Sequence, residues 1–139
     1  MPKPITPLVA VDALIRYSNN SIILIKRKNP PFKGMLALPG GFVDIGETVE
    51  EACIREAFEE TNIKVKIVRL IGVFSKPDRD PRGHNISIAF YCVPLSKKQL
   101  PKAKDDALDL EIIPIKGVSK LNLAFDHKDI IDASGILNK

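Results

Sequence analysis

The chain is poor in cysteine, and the little it has is poorly spaced for chemistry. Cys53 and Cys92 are its only two thiols. They form no CxxC pair and no Cys/His cluster, so a zinc site or a disulfide framework is not expected, and both read as buried free thiols. Long apolar runs are also missing, since nothing approaches the roughly 20 residues a membrane helix needs. The N-terminal stretch MPKPITPLVAVDALIRY lacks the charged head, apolar core and cleavage site of a secretory leader. A soluble, cytoplasmic protein with no membrane partner is therefore the expectation. Internal repeats and low-complexity linkers are absent too. Glutamate is scarce outside one place: six of the seven lie between Glu47 and Glu60, and Glu111 is the exception.

What is present fits one globular unit. A length of 139 residues, with 45% hydrophobic and 27% charged residues, is enough to bury a core without covalent staples, and a single domain over residues 1–139 is expected. The net charge of +4 hides a division. Residues 41–63 carry seven acids and one base, a net of −6, whereas the rest carries ten acids and twenty bases, a net of +10. A basic body around an acidic patch suits a protein that handles anionic substrates through bound cations, although basic charge alone would also suit loose contact with nucleic acid.

Along the chain, PLVAVDALIRY and SIILIKR read as strands around a turn at Ser18-Asn19-Asn20. KNPPFKG breaks regular structure, and PGG at 39–41 reads as a second break. IKVKIVRLIGVF and NISIAFYCVPL read as strands flanking the irregular loop SKPDRDPRGH, and LDLEIIPI alternates like a further strand. FDHKDIIDAS reads as a short helix, with Asp126 three residues before Asp129 as its start signal. The order of elements predicts an α+β or mixed α/β sandwich, with helices covering a central sheet.

The acidic segment reads as a helix. Thr48-Val49-Glu50-Glu51 is a capping box that starts it, and Asn62 stands where a left-handed residue commonly ends one. At about 100° per residue, Glu56, Glu59 and Glu60 fall on one face, while Ile54, Ala57, Phe58 and Thr61 fall on another. Each like-charge neighbour pair costs an isolated helix roughly 0.2–0.5 kcal/mol. Arg55 can offset part of that by pairing with Glu51 or Glu59, but not all of it. A solvated acidic face would explain the charge alone, yet not the glycine pair and regular spacing upstream. A hard divalent cation explains more: Mg²⁺ takes oxygen ligands and shares carboxylates with substrate phosphates. Gly40 and Gly41 would let the backbone turn tightly and bring a carbonyl to the ion.

In register, Gly41, Glu47, Arg55, Glu56, Ala57, Glu59, Glu60 and Ile63 match the pattern G-x(5)-E-x(7)-R-E-U-x-E-E-x-G-U, where U is apolar. On these residues the chain resembles the Nudix hydrolases. Only the final glycine departs, being Asn62, a residue tolerated at a helix C-terminus. The flanking LPGGF and the order of elements are similar to that family as well. The resemblance implies an α/β/α sandwich with a central mixed sheet. It also implies hydrolysis of a nucleoside diphosphate linked to another group, with Mg²⁺ or Mn²⁺. Carried over residue by residue, Glu56, Glu59 and Glu60 would be metal ligands with the Gly40 carbonyl. Arg55 would orient them, and Glu47 would support the loop. The general base stays open between Glu56 and a carboxylate of KAKDDA, Asp105 or Asp106. Proton transfer of this kind contributes roughly 10²–10⁴-fold.

SKPDRDPRGH carries the substrate reading. With Pro77 about fifteen residues beyond the box, this loop resembles that of the ADP-ribose pyrophosphatase group. Arg79 and Arg82 could hold phosphate or ribose oxygens, with Asp80 fixing one of them or a hydroxyl; equally, Asp78-Arg79-Asp80 could be a turn tied by local ion pairs. Phe125 and His127 in LAFDH recur in such relatives, where they would contact the base, and Phe32 could stack on adenine. Two other functions compete. One is a nucleotide-pool sanitising hydrolase of 8-oxo-dGTP type, and the other is a non-catalytic sensor of an NAD-derived effector. The expected partner is a small nucleotide and not a nucleic-acid polymer, with a homodimer as the preferred assembly.

Overall fold

The computed structural model describes residues 2–103 and 107–137. The order is β1 (Leu8–Ser18), β2 (Ser21–Arg27), β3 (Leu36–Ala37), β4 (Gly40–Phe42), α1 (Val49–Thr61), β5 (Val65–Phe74), β6 (Asn85–Pro94), β7 (Ala107–Pro114), a 3-10 turn (Ile115–Lys120) and α2 (His127–Ser134). All seven strands join one sheet in the order β3-β2-β1-β6-β5, with β4 also paired to β1 and β7 to β2. The pairing of β1 with β6 is parallel and the rest is antiparallel, so the sheet is mixed.

Alternation along β1 and β2 builds two cores on opposite faces of the sheet. Val11, Ala13, Ile15 and Ile23 face α1, where they meet Ala52, Cys53, Ala57 and Ile63. Leu14, Ile22 and Leu24 face the other way, onto Ile130 and Ile131 of α2 with Val118 and Leu123. Helices on both faces make the expected α/β/α sandwich. Cys53 and Cys92 are buried free thiols, with their sulfurs 3.7 Å apart. That contact and burial push the Cys53 thiol far up, which keeps it protonated and inert. Among the described residues, no helix is long and apolar enough to cross a membrane.

Two readings of the sequence change. PGG is not merely a break, because Gly40 and Gly41 form β4 with Phe42, lying antiparallel to β1 with Asp12 opposite Gly40 and Val11 opposite Gly41. Asp126 sits at the N-cap of α2 but caps nothing with its side chain. Its carboxylate instead accepts a fork from Arg79, at 2.9 and 2.6 Å.

Candidate active site

Helix α1 starts as its sequence dictates. The Glu51 amide donates to Thr48 Oγ1 at 3.0 Å, and the Thr48 amide donates to Glu51 Oε1 at 2.8 Å. Asn62 closes the helix in the left-handed conformation, φ 65°. The face it buries is made of Ala52, Cys53, Ala57 and Thr61, and it includes Glu60. Small side chains let the helix lie close to the sheet. Ile54 stays exposed, so the bulkiest apolar residues do not mark the core side and the acidic face is not simply the solvent side.

Gly40 and Gly41 are required by close approach and not by a turn, since neither has a positive φ. A Cβ on Gly40 would stand 2.2 Å from the Val11 carbonyl oxygen and 2.5 Å from Asp12 Oδ1. On Gly41 it would stand 2.0 Å from Glu56 Oε2. The Gly40 amide donates to Glu60 Oε1 at 2.7 Å, holding that buried carboxylate against the strand. Glu56 and Glu60 thus meet β4 along its two glycines.

Arg55 is the cation among these acids. Its Nε and Nη2 donate to Glu47 at 2.7 and 2.9 Å, and Nη1 donates to Glu59 at 3.0 Å with Glu56 Oε2 at 3.3 Å. Nη2 also donates to the Phe42 carbonyl at 3.1 Å. The hydrogen bonds from Arg55, and then from the Asp44 amide, hold Glu47 well below its ordinary range, at about 2. Glu47 in turn pushes the guanidinium up. Of the two partners expected for Arg55 on its own helix, Glu59 is engaged, while Glu51 serves the cap.

The chemistry of this donor set fits a hard divalent cation: carboxylate oxygens around a backbone with no room for a side chain. Among the described residues, no three acidic, histidine or cysteine side chains converge closely enough to hold an ion as they stand. The reason is visible in Glu59, which turns to Arg55, and in Glu60, which is tied to the Gly40 amide. Asp105 and Asp106 lie outside the described residues.

The loop after β5 builds the other half of the site. Asp80 is buried and accepts from Arg82 Nη2 at 2.8 Å, the Arg82 amide at 2.9 Å and Asn85 Nδ2 at 2.7 Å. Burial pushes its pKa up, but those donors outweigh it and bring the carboxyl to about 2. Arg82 is half exposed, and its guanidinium carbon lies 5.7 Å from both the Phe42 and Phe125 rings. Phe32 meets Phe125 edge to face at 4.8 Å, and Arg27 lies 4.9 Å over Phe125. Both aromatic residues have positive φ, 62° and 52°. That conformation is costly for a side chain with a Cβ and is found preferentially at functional sites.

Arg79 and His127 are buried side chains on the wall of the same pocket as Asp80 and Arg82. Besides its fork on Asp126, Arg79 Nη2 lies 3.8 Å from Asp12 Oδ2. The Leu38 amide donates to His127 Nδ1 at 2.9 Å, and His127 Nε2 lies 3.2 Å from Asp12 Oδ1. Both ring nitrogens of His127, and Nε and Nη2 of Arg79, are therefore engaged by the protein. A small inner chamber of about 70 Å³ holds Asp12, Arg79, Asp80, Asn85 and His127 at its wall. An outer cleft of about 330 Å³ runs past Glu56, Asp44 and Arg27. Gly40, Gly41, Phe42, Glu60 and Arg82 border both.

Asp12, Phe42, Arg27 and Asn85 were not singled out from the sequence. Asp12 alone had a signal, a carboxylate inside the apolar run VAVDALI. The others depend on which strands become neighbours.

An acidic helix facing a two-glycine strand, at the mouth of a cleft walled by arginines and phenylalanines, defines a site for metal-assisted chemistry on phosphate anhydrides. Residues 6–133 match the model of the NUDIX domain, and the chain belongs to that family. It is 54% identical over 125 residues to the ADP-ribose pyrophosphatase of Methanocaldococcus jannaschii, spanning 90% of this chain and 71% of that protein. The NUDIX domain of Shewanella oneidensis NrtR, solved with ADP ribose, superposes with a TM-score of 0.82 at 27% identity, covering 93% of this chain and 86% of that one. The bifunctional NMN adenylyltransferase/ADP ribose pyrophosphatase of Francisella tularensis, solved with AMP and a manganese ion, gives 0.79 at 37% identity. The match covers 91% of this chain but only 40% of the Francisella one.

Proposed function

We propose that this Nudix hydrolase cleaves the pyrophosphate bond of ADP-ribose to give AMP and ribose 5-phosphate. The observation that carries the reading is the shared border of the two chambers. Gly40, Gly41 and Glu60 of the acidic end belong to the same cleft as Arg82, Phe42 and Phe125. Glu56, Glu59 and Glu60, with the Gly40 carbonyl, would hold Mg²⁺, with Mn²⁺ as a substitute. When bound, such an ion neutralises charge on the leaving phosphate and lowers the pKa of the attacking water. Arg55 orients Glu56 and Glu59 through its contacts at 3.3 and 3.0 Å. Glu56, which lies beside Gly41, would take a proton from the water, with Asp105 or Asp106 as the alternative. Arg82, braced by Asp80, offers its remaining donors to phosphate or ribose oxygens. Phe125, which lines the chamber and carries the Phe32 ring packed on it, would offer an apolar wall to the base.

A substrate panel with Mg²⁺, scored by release of AMP and ribose 5-phosphate, tests this. Comparable turnover of 8-oxo-dGTP would favour the sanitising alternative, and binding of ADP-ribose without turnover would favour a sensor. Unchanged Mg²⁺-dependent hydrolysis in Glu59→Gln or Glu60→Gln would remove the metal assignment. The remaining expectations stand with this proposal: one domain over residues 1–139, a cytoplasmic setting, no polymeric nucleic-acid partner, and a homodimer. Exposed Val68, Leu70 and Val73 on β5 favour the homodimer, and sedimentation equilibrium would test it.

A further inference from the structure

We propose that Asp12 and His127 act as a positioning pair that fixes the segment Leu38–Gly41 against helix α1 and so sets the divalent-cation site. The inference rests on the reading that Gly40 and Glu60 belong to that site.

The chain of contacts begins at Leu38. Its amide donates to His127 Nδ1 at 2.9 Å, so that nitrogen is the acceptor and carries no proton. The ring proton then sits on Nε2, facing Asp12 Oδ1 at 3.2 Å. A neutral imidazole bridges a backbone amide to a carboxylate, and both its nitrogens are used. Asp12 is itself immobilised. It lies on the central strand β1, and its Oδ2 accepts from Ser87 Oγ of β6 at 2.5 Å. Arg79 stands 3.8 Å away while its fork grips Asp126, the residue before His127. The strut is therefore closed at both ends: β1 holds Asp12, and Arg79 ties the start of α2 back toward it.

Its output is the position of Gly40. Asp12 is the strand partner of Gly40, and its Oδ1 lies only 2.5 Å from where a Gly40 Cβ would be. Leu38, two residues before Gly40, is held by the histidine that the same carboxylate faces. The Gly40 amide in turn holds Glu60 Oε1 at 2.7 Å. Only Pro39 separates Leu38 from Gly40, so a displacement of Leu38 passes through this one-residue bend to the carboxylate at the base of the metal face. Groups that orient metal ligands in this indirect way typically change metal affinity about 10–100-fold when removed.

Two substitutions divide the histidine into its halves. His127→Asn leaves an oxygen near the place of Nδ1, so it keeps the acceptor for Leu38 and loses Asp12. His127→Gln leaves an amide nitrogen near the place of Nε2, so it keeps Asp12 and loses the Leu38 acceptor. Mn²⁺ binding to the full chain without substrate, followed by electron paramagnetic resonance, is expected to weaken about tenfold in both variants, because each breaks one of the two links in series between Asp12 and Leu38. Hydrogen exchange of the Leu38 amide should accelerate only in the Gln variant. Asp12→Ala, which removes the far anchor, should weaken Mn²⁺ about tenfold and lower kcat more than it raises KM. The proposal is overturned if wild type binds Mn²⁺ and His127→Asn, His127→Gln or Asp12→Ala binds it equally well, or if Leu38 amide exchange accelerates no more in the Gln variant than in the Asn variant. If wild type itself binds no Mn²⁺, the metal reading fails instead, while Leu38 amide exchange still reports whether the tether exists.

Discussion

Two adjacent glycines with different reasons for being glycine give the sharpest residue-scale test. A Cβ on Gly40 would meet the backbone oxygen of Val11, which belongs to a paired central strand and cannot retreat. A Cβ on Gly41 would meet the end of the Glu56 side chain, which can swing away. Gly40→Ala is therefore expected to lower the melting temperature by several degrees, as a clash in a packed sheet costs about 1–3 kcal/mol. Gly41→Ala should leave the melting temperature nearly unchanged and reduce turnover at least about tenfold, because it displaces a proposed metal ligand. Thermal denaturation beside steady-state kinetics separates the two. The sequence suggests that these glycines let the backbone turn tightly and approach an ion, but not which atoms crowd each of them. The clashing atoms belong to β1 and α1, which come close only in the folded sheet.

Helix α1 is the element whose structure follows most directly from its own residues. Its capping box, its left-handed Asn62 and the spacing of its acids are local, and local rules suffice to place them. Thr48→Ala is expected to cost about 1 kcal/mol, measured by denaturant unfolding. Asn62→Gly should shift stability by only a few tenths of a kcal/mol, since glycine adopts the same φ without strain but loses the Nδ2 contact with the Leu100 carbonyl. Helix α2 shows the limit of the same rules. Asp126 carries the signal of an N-cap, yet an arginine from the loop after β5 claims its carboxylate. A distant guanidinium offers a charge-assisted fork that outweighs one neutral cap bond. Likewise, of the face read from the spacing of α1 (Ile54, Ala57, Phe58 and Thr61), the small Ala57 and Thr61 are buried, joined by Ala52, Cys53 and Glu60, whereas Ile54 stays exposed.

For the whole molecule, acid stability follows from carboxylates tied to arginines. Glu47 falls from an ordinary 4.5 to about 2, and Asp80 from 3.8 to about 2. Both pKa values are lower folded than unfolded, so their contribution is fully present above about pH 4.5 and is lost as pH falls toward 2. The melting temperature should drop through that window, and Glu47→Gln should make the drop shallower while lowering stability at neutral pH. The charge division visible in the sequence has its physical form here, with Asp44, Glu47, Glu56 and Glu59 gathered around Arg55 and Arg27 and Arg82 lining the cleft. The parallel pairing of β1 with β6, Leu8 opposite Asn85 and Ile15 opposite Cys92, also bears on how this arrangement is reached. Such pairing must close a long stretch of chain before it gains any contact, so it forms slowly, whereas a capped helix needs only its neighbours. Refolding should therefore show α1 in far-ultraviolet circular dichroism before Mn²⁺ binding returns, because the acids assemble early while β1, which carries β4, completes its pairing only with β6.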